Sequence, residues 1–244
     1  MTESSLFVSG ASSAIGIELI KRNSLAYSTI YAHYNSNGDA LLRLKSELSA
    51  KLVPIQGDLG SPDGVDKLCM NLAAVQGPPL SFVHLAAPRL NYSQFKSLRD
   101  EDFDREWQVQ VKSFVSMLNV LLPAMLREKF GRTVLLLSNV VHSSTGPYLS
   151  SYSAAKHALW GLTKSLASEY GPKNVFFNGV SPSMMATPFL EKVNEKIVEL
   201  AAHQHPMGRL GRVTDVVPMV ELLLNPKTEY INGVAVPING GAPL

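Results

Sequence analysis

Tyr152 and Lys156 stand four residues apart in the run SYSAAKHALWG. On a helix that spacing puts both side chains on one face. A phenol of ordinary pKa, near 10, is a poor acid or base at neutral pH. A nearby ammonium favours the phenolate and lowers that value. The phenol could then give a proton to a carbonyl as a hydride arrives, or take one in reverse. A neighbouring hydroxyl would hold the substrate oxygen. Taken alone, a Tyr-x-x-x-Lys spacing is usually a solvated helix face, so its surroundings decide the reading.

The run SGASSAIG, from Ser9 to Gly16, joins an apolar stretch to a helix-like one. Gly10 allows a tight turn and Gly16 a close helix–strand contact. Ser12 and Ser13 offer hydroxyls and backbone N–H groups at a helix start, whose partial positive charge would stabilise a pyrophosphate. A plain strand–helix turn rich in Gly and Ser would read alike. Tyr34, Asn35 and Ser36 follow the second apolar run, where an acidic residue usually meets the 2′-hydroxyl of NAD. The first acid there is Asp39, too far along to fit comfortably, so a phosphate is easier to accommodate than a bare ribose. Asp58, after the third strand, could accept from an adenine amino group or simply cap a turn.

These residues hang on an alternation of apolar and helix-like segments. LFVSGAS, STIYAHYN, KLVPIQGDLG, LSFVHLAA, RTVLLLSN, NVFFNGVSP and GVAVPING read as strands. Helices are expected from about Ala14, over DALLRLKSELSA, over DGVDKLCMNLAAVQG to a cap at Gly77, from about Glu101 to Lys129, and over SYSAAKHALWGLTKSLASEYG to Gly171. The expected fold is α/β: a Rossmann-type, doubly wound, mostly parallel sheet with helices on both faces. No linker or repeat breaks it, so residues 1–244 read as one domain. The Met-, Pro- and His-rich segment at about 183–212 is the expected excursion over the strands' carboxyl ends.

Composition narrows the class. Hydrophobic residues make up 45% and charged residues 17% of the 244 residues, an ordinary globular balance. A net charge of +2 without a Lys/Arg block argues against nucleic acid as partner. The single cysteine, Cys69, rules out an internal disulfide and a Cys-based zinc site. His203 and His205 lack a carboxylate at ligand spacing, so no metal is expected. The start of the chain does not read as a secretory signal, and no run reaches the length of a membrane span. A cytoplasmic enzyme is the expectation.

The order of SGASSAIG, GDL, HLAA, GRTVLLLSNV, YSAAK, NGVSPSMMAT, HPMGRLGR and INGG is similar to that of the short-chain dehydrogenase/reductase family. The likeness covers nearly the whole chain and is nearest in look to 3-oxoacyl-carrier-protein reductases. It implies a nicotinamide cofactor, NADPH/NADP before NADH, with Tyr152 as catalytic acid/base and Lys156 on the nicotinamide ribose. It also implies cofactor contacts at Gly10, Ser12, Ser13, Ile15, Gly16, Tyr34, Asn35, Ser36, Asp58, Leu59, Ala86, Ala87 and Pro182. Met185 and Thr187 would touch the carboxamide. The short tyrosine–lysine spacing differs from the wider one of bacterial enoyl reductases, which argues for C=O reduction.

Several positions depart from the family pattern. Ala14 replaces the middle glycine of the turn. HLAA replaces the usual NNAG, with His84 read as a packed strand residue. Gln110 stands where the family places a relay asparagine. The catalytic serine position falls on Ser138 when counted forward from Gly131 and on Asn139 when counted back from Tyr152. An extra residue in the following loop costs less than one in a buried strand, which favours Ser138. Asn139 stays open, since its amide could also donate to a carbonyl. Ser143 and Ser144 are weaker substitutes.

On the substrate side, Met184, Met185, Phe189, Leu190 and Met207 would form an adaptable apolar wall, or pack under the excursion without touching a ligand. Arg127, Lys129, Lys173 and Arg209 are candidate contacts for an acyl carrier protein. The family's helix pair, about 101–129 and 151–171, implies a homodimer or homotetramer. The expected reaction is NADPH-dependent reduction of a β-ketoacyl thioester, carrier-linked or free, or a related hydrophobic ketone. Alternatives are a cofactor-binding but silent subunit or sensor, and a biosynthetic relative that dehydrates or isomerises.

Overall fold

The apolar run Ser5–Ser9 forms β1 and is buried along its whole length, as a strand covered on both faces must be. Successive side chains leave it on opposite faces. Leu6 and Val8 join one core while Phe7 joins the other. The computed structural model describes residues 4–142 and 146–243. Six further strands complete one sheet: β2 (Thr29–Tyr34), β3 (Lys51–Gln56), β4 (Ser81–His84), β5 (Gly131–Leu136), β6 (Val175–Pro182) and β7 (Ala235–Ile238). Every pairing is parallel, in the order β3-β2-β1-β4-β5-β6-β7. The order reverses beside β1, which opens a crevice beyond the carboxyl ends of β1 and β4.

Helices cover both faces. On one, α1 (Ala14–Asn23), α2 (Asp39–Leu44) and α8 (Val213–Leu224) bury Leu19, Leu41, Val216 and Val220 against Leu6 and Val8. On the other, α3 (Pro62–Ala73), α5 (Ser113–Glu128) and α6 (Ser150–Tyr170) bury Leu68, Phe114, Met117 and Leu159 against Phe7 and Phe82. The helical stretch before β5 starts as α4 (Asp100–Glu106), widens to a π-helix over Trp107–Lys112 and continues as α5. By length and composition Asp100–Glu128 could cross a membrane, but half of its apolar window is buried inside the protein. It is a core helix of this fold.

Boundaries differ from expectation in places. The helix expected over 39–50 stops at Leu44, because Ser46 Oγ donates to the Arg43 carbonyl and the backbone tightens into a 3₁₀ turn, Glu47 N–H to Leu44 O. The helix α3 ends at Ala73, and Gly77, at φ +72°, shapes the turn that follows. Between β6 and α8 the chain makes a 3₁₀ turn at Pro188–Leu190 and a helix, α7 (Glu195–Gln204). The two ends of this segment are tied together: Met185 bridges Gly211, Ala186 N–H donates to Gly211 O at 3.0 Å, and Gly211 N–H donates to Met184 O at 3.0 Å.

Candidate active site

The turn after β1 is built for close packing. Gly10 has φ +67°, and a Cβ there would lie 2.9 Å from Ala86 N. A Cβ on Gly16 would meet Ala11 O at 2.4 Å. Ser13 caps α1, its hydroxyl accepting from Gly16 N–H at 3.2 Å. Ser12, Ser13, Ala14 and Ile15, at the start of α1, border the crevice.

One cavity of about 470 Å³ runs from this turn to the helix α6. Its walls include Ser12, Ser13, Ala14 and Ile15 at one end, Ala87 from the β4 end, and Ser138, Asn139, Tyr152 and Lys156 in the middle. Pro182, Met185 and Thr187 close it from the β6 side. Gly10, Gly16 and Ala86 form the packed floor behind the turn rather than the wall. Tyr34, Asn35, Ser36 and Asp58 lie outside the cavity, at the carboxyl ends of β2, which neighbours β1, and of β3 beyond it. Asn35 and Ser36 are exposed and no carboxylate accompanies them; Asp39 opens α2 instead. The Asp58 carboxylate accepts from Gly60 N–H at 2.9 Å, as a turn-capping Asp does. Leu59 turns its side chain into the core with Val65 and Leu68. An unbroken space leading from a helix N-terminus to a paired phenol and amine fits a nicotinamide dinucleotide.

The ladder of β5 is regular on both sides, with Arg132–Leu135 paired to β4 and Gly131–Leu136 to β6. No bulge interrupts it, and Leu137 N–H continues onto Val180 O at 2.8 Å. Ser138 follows directly and its side chain hydrogen-bonds Tyr152. Asn139 also lines the cavity, but its amide turns toward the C-terminal segment, near Pro243 O and Asn239 Nδ2 at 3.5 Å each. Ser143 and Ser144 lie outside the described residues.

Tyr152 and Lys156 share the inner face of α6 and are both buried. Lys156 Nζ donates to Leu136 O at 2.6 Å and lies 5.5 Å from the centre of the Tyr152 ring. Burial lowers Lys156 to about 8, opposed by the charge of Glu106. Contrary to the expected lowering, burial pushes Tyr152 up to about 12, only partly offset by the Ser138 hydrogen bond. Desolvation dominates, the charge of Glu106 adds to it, and the phenol stays protonated at neutral pH.

Behind this pair lies a polar chain that the sequence shows only in part. His84 Nε2 donates to the Gln110 carbonyl at 2.9 Å and His84 Nδ1 accepts from Ser9 Oγ at 2.7 Å. Burial and the nearby Lys156 lower His84 to about 3, so the ring is neutral and structural. Gln110 itself is fully buried in the π-helix and does not reach the cavity wall. Its Nε2 donates to a carboxylate oxygen of Glu106, and its Oε1 is buried without a partner among the described residues. Glu106, 3% exposed, is a residue that sequence reading missed. Its only signal is its place four residues before Gln110.

The substrate end is apolar. Leu90, Tyr92, Val140, Leu149, Phe189 and Leu190 surround the mouth, and the Phe189 ring lies 5.9 Å from that of Tyr152. Met184 and Met185 line the cavity as expected. Met207 does not: it is exposed and lies against Gly240. His205 is tied down by Asn239 O at 2.9 Å. Arg89, also missed, lines the mouth and pairs with Glu191. Arg127, Lys129 and Lys173 shortly precede β5 and β6, which puts them at the amino ends of the strands, opposite the cavity. Arg209 is engaged by Asp215 at 2.6 Å.

A family model described as enoyl-(acyl carrier protein) reductase matches residues 10–243. The chain belongs to the short-chain dehydrogenase/reductase family. It is an oxidoreductase of that type. Among similar family members is carbonyl reductase [NADPH] 2 of Sus scrofa, 28% identical over 96% of this chain and 94% of that protein. Another is the 3-oxoacyl-[acyl-carrier-protein] reductase FabG of Staphylococcus aureus, 26% identical over 99% of this chain and 98% of its own. A 7α-hydroxysteroid dehydrogenase solved with NADH and 7-oxo glycochenodeoxycholic acid superposes with a TM-score of 0.88, at 23% identity over 98% of this chain and 94% of that one. That likeness concerns the fold.

Proposed function

We propose that the protein is an NADPH-dependent ketoreductase acting on a β-ketoacyl thioester, carrier-linked or free, or on a related hydrophobic ketone. The observation that carries this is the meeting of Ser138, Tyr152 and Lys156 in the middle of a cavity that begins at the α1 N-terminus and ends in an apolar mouth. Bound nicotinamide supplies the hydride. The Ser138 hydroxyl and the Tyr152 phenol hold the carbonyl oxygen, and Tyr152 delivers the proton to it. A phenol that keeps its proton at neutral pH suits the reductive direction. Lys156 holds positive charge beneath the phenol and would bind the nicotinamide ribose. Ser12, Ser13 and Ile15 would hold the pyrophosphate. Met185 and Thr187 would meet the carboxamide.

NADPH is favoured over NADH because Tyr34, Asn35 and Ser36 present no carboxylate to repel a 2′-phosphate. The name of the pig relative points the same way. The bulge-free β5 and the Ser138–Tyr152 hydrogen bond favour Ser138 over Asn139 as oxygen holder. An exposed apolar groove along α6 and the π-helix, lined by Trp107, Val111, Val115, Ala158 and Leu162, suits a homodimer or homotetramer. The C=O reading is set against the C=C reading by the Tyr152–Lys156 spacing.

The test is NADPH oxidation with an acetoacetyl thioester, a panel of hydrophobic ketones and a 2-enoyl thioester. Ketone turnover that collapses in Tyr152→Phe is expected. Turnover of the enoyl arm alone would replace the reading by C=C reduction. Inertness with a rise in melting temperature on adding NADPH would make the chain a silent cofactor binder.

A further inference from the structure

We propose that Glu106 is a positioning residue, the buried counter-charge that keeps Lys156 protonated beneath Tyr152. The proposal rests on reading Tyr152 and Lys156 as the acid–base pair. Glu106 closes α4 where it packs against α6, and only 3% of it is exposed. A carboxylate so placed is costly unless it is paired and hydrogen-bonded. Its hydrogen-bond partner is the amide of Gln110, which is neutral. The ammonium of Lys156 likewise donates to a neutral group, the Leu136 carbonyl. Each charge is thus solvated by an uncharged dipole, and the two sit on packed neighbours, Glu106 on α4 and Lys156 on α6.

The groups facing Glu106 are few. From α6 come Lys156 and Tyr152, from α4 Arg105, and behind Gln110 the neutral ring of His84 from β4. Glu106 is the one acid whose charge acts on Lys156 among the described residues. Burial raises Glu106 to about 7 while Lys156 lowers it, and burial lowers Lys156 to about 8 while Glu106 raises it. The carboxyl and the amine therefore change charge in neighbouring pH ranges. The π-helix turns the Gln110 carbonyl to His84, so the Gln110 side chain is left to hold Glu106.

Glu106→Gln removes the charge and keeps an amide of the same shape beside Gln110. In this variant the Lys156 signal, followed in 13Cε-lysine spectra and assigned by its loss in Lys156→Arg, should titrate about one pH unit lower. The alkaline limb of the ketone-reduction profile should move with it, so activity on that limb falls about tenfold. Glu106→Asp should return both toward the parent. An unchanged Lys156 midpoint and limb would overturn the proposal and leave Glu106 as a brace for the π-helix. Should Glu106→Gln fail to fold, the parent decides: the 13C-labelled Glu106 carboxyl must titrate in step with Lys156, and independent titration at ordinary values would overturn it. Coupled titration with undiminished turnover in Tyr152→Phe would sink the catalytic reading alone.

Discussion

His84 Nε2 donates to the main-chain carbonyl of Gln110 at 2.9 Å, which fastens β4 to the middle of the π-helix. The bond gives a buried carbonyl of the irregular backbone a side-chain donor. Replacing His84 by Leu keeps bulk but strands this carbonyl and the Ser9 hydroxyl. An unsatisfied buried group costs about 1–3 kcal/mol. At about 2–4 °C per kcal/mol for a chain of this size, calorimetry should show a drop of several degrees. Little change in His84→Leu would mean that the π-helix holds without this anchor.

Ser138 and Asn139 are adjacent but turned to different neighbours, Tyr152 for the first and the C-terminal segment for the second. Ser138→Ala should lower kcat by about 10²–10³, the usual loss of one oxyanion donor, with the melting temperature nearly unchanged. Asn139→Ala should act more on stability than on turnover. The reverse ranking in steady-state kinetics would give the oxygen-holding role to Asn139.

Ala14 and Gly16 call for opposite substitutions. Gly16→Ala drives a Cβ to 2.4 Å from Ala11 O, a backbone atom that cannot step aside. It should destabilise by at least about 1–3 kcal/mol and weaken NADPH binding. Ala14→Gly removes a methyl from the cavity wall at the price of about 1 kcal/mol of helix propensity. Its melting temperature should fall by a few degrees while the Kd for NADPH, measured by calorimetric titration, tightens. Weaker binding by Ala14→Gly would show that the methyl does not crowd the cofactor.

Tyr152, at about 12, and Lys156, at about 8, set a direction-dependent pH profile. Reduction needs the phenol and ammonium protonated, so its rate should be level through neutrality and decline above about pH 8 as Lys156 loses its proton. Alcohol oxidation needs the phenolate and should still be climbing at the alkaline end of the stable range. Parallel profiles in the two directions would contradict this assignment.

Glu106 and Lys156 also shape stability. The folded value of Glu106, about 7, lies above its ordinary 4.5, so its contribution is full below pH 4.5 and is lost as pH rises through 7. The folded value of Lys156, about 8, lies below its ordinary 10.5, so its contribution is present above 10.5 and lost as pH falls through 8. Together they place a shallow minimum of stability between pH 7 and 8. Denaturation across pH should show the decline from pH 4.5 to 7 in the parent and its loss in Glu106→Gln.

The sheet was legible because each strand is a short apolar run flanked by turn residues, and the Tyr152–Lys156 pair because helical spacing alone puts both on one face. Residues whose role depends on direction were harder to read. Glu106 sits in the acidic run DEDFDRE, where a carboxylate normally faces water; only the packing of α4 against α6 turns it inward. The π-helix has no composition of its own, so Gln110 could be located but not its partners. Arg127, Lys129 and Lys173 look like docking cations until the parallel sheet assigns them to the strands' amino ends, away from the cavity. Leu59 and Met207 likewise point where only tertiary contacts could send them.

The hydrogen bonds that join Met184 and Ala186 to Gly211 give the intervening segment a common root. Everything between them leaves and re-enters the body of the protein at one place, like a bag closed by a drawstring. Nature or an engineer can therefore exchange its contents, Phe189, Leu190 and the α7 helix included, and reshape what the enzyme accepts while the seven-stranded ladder keeps its register.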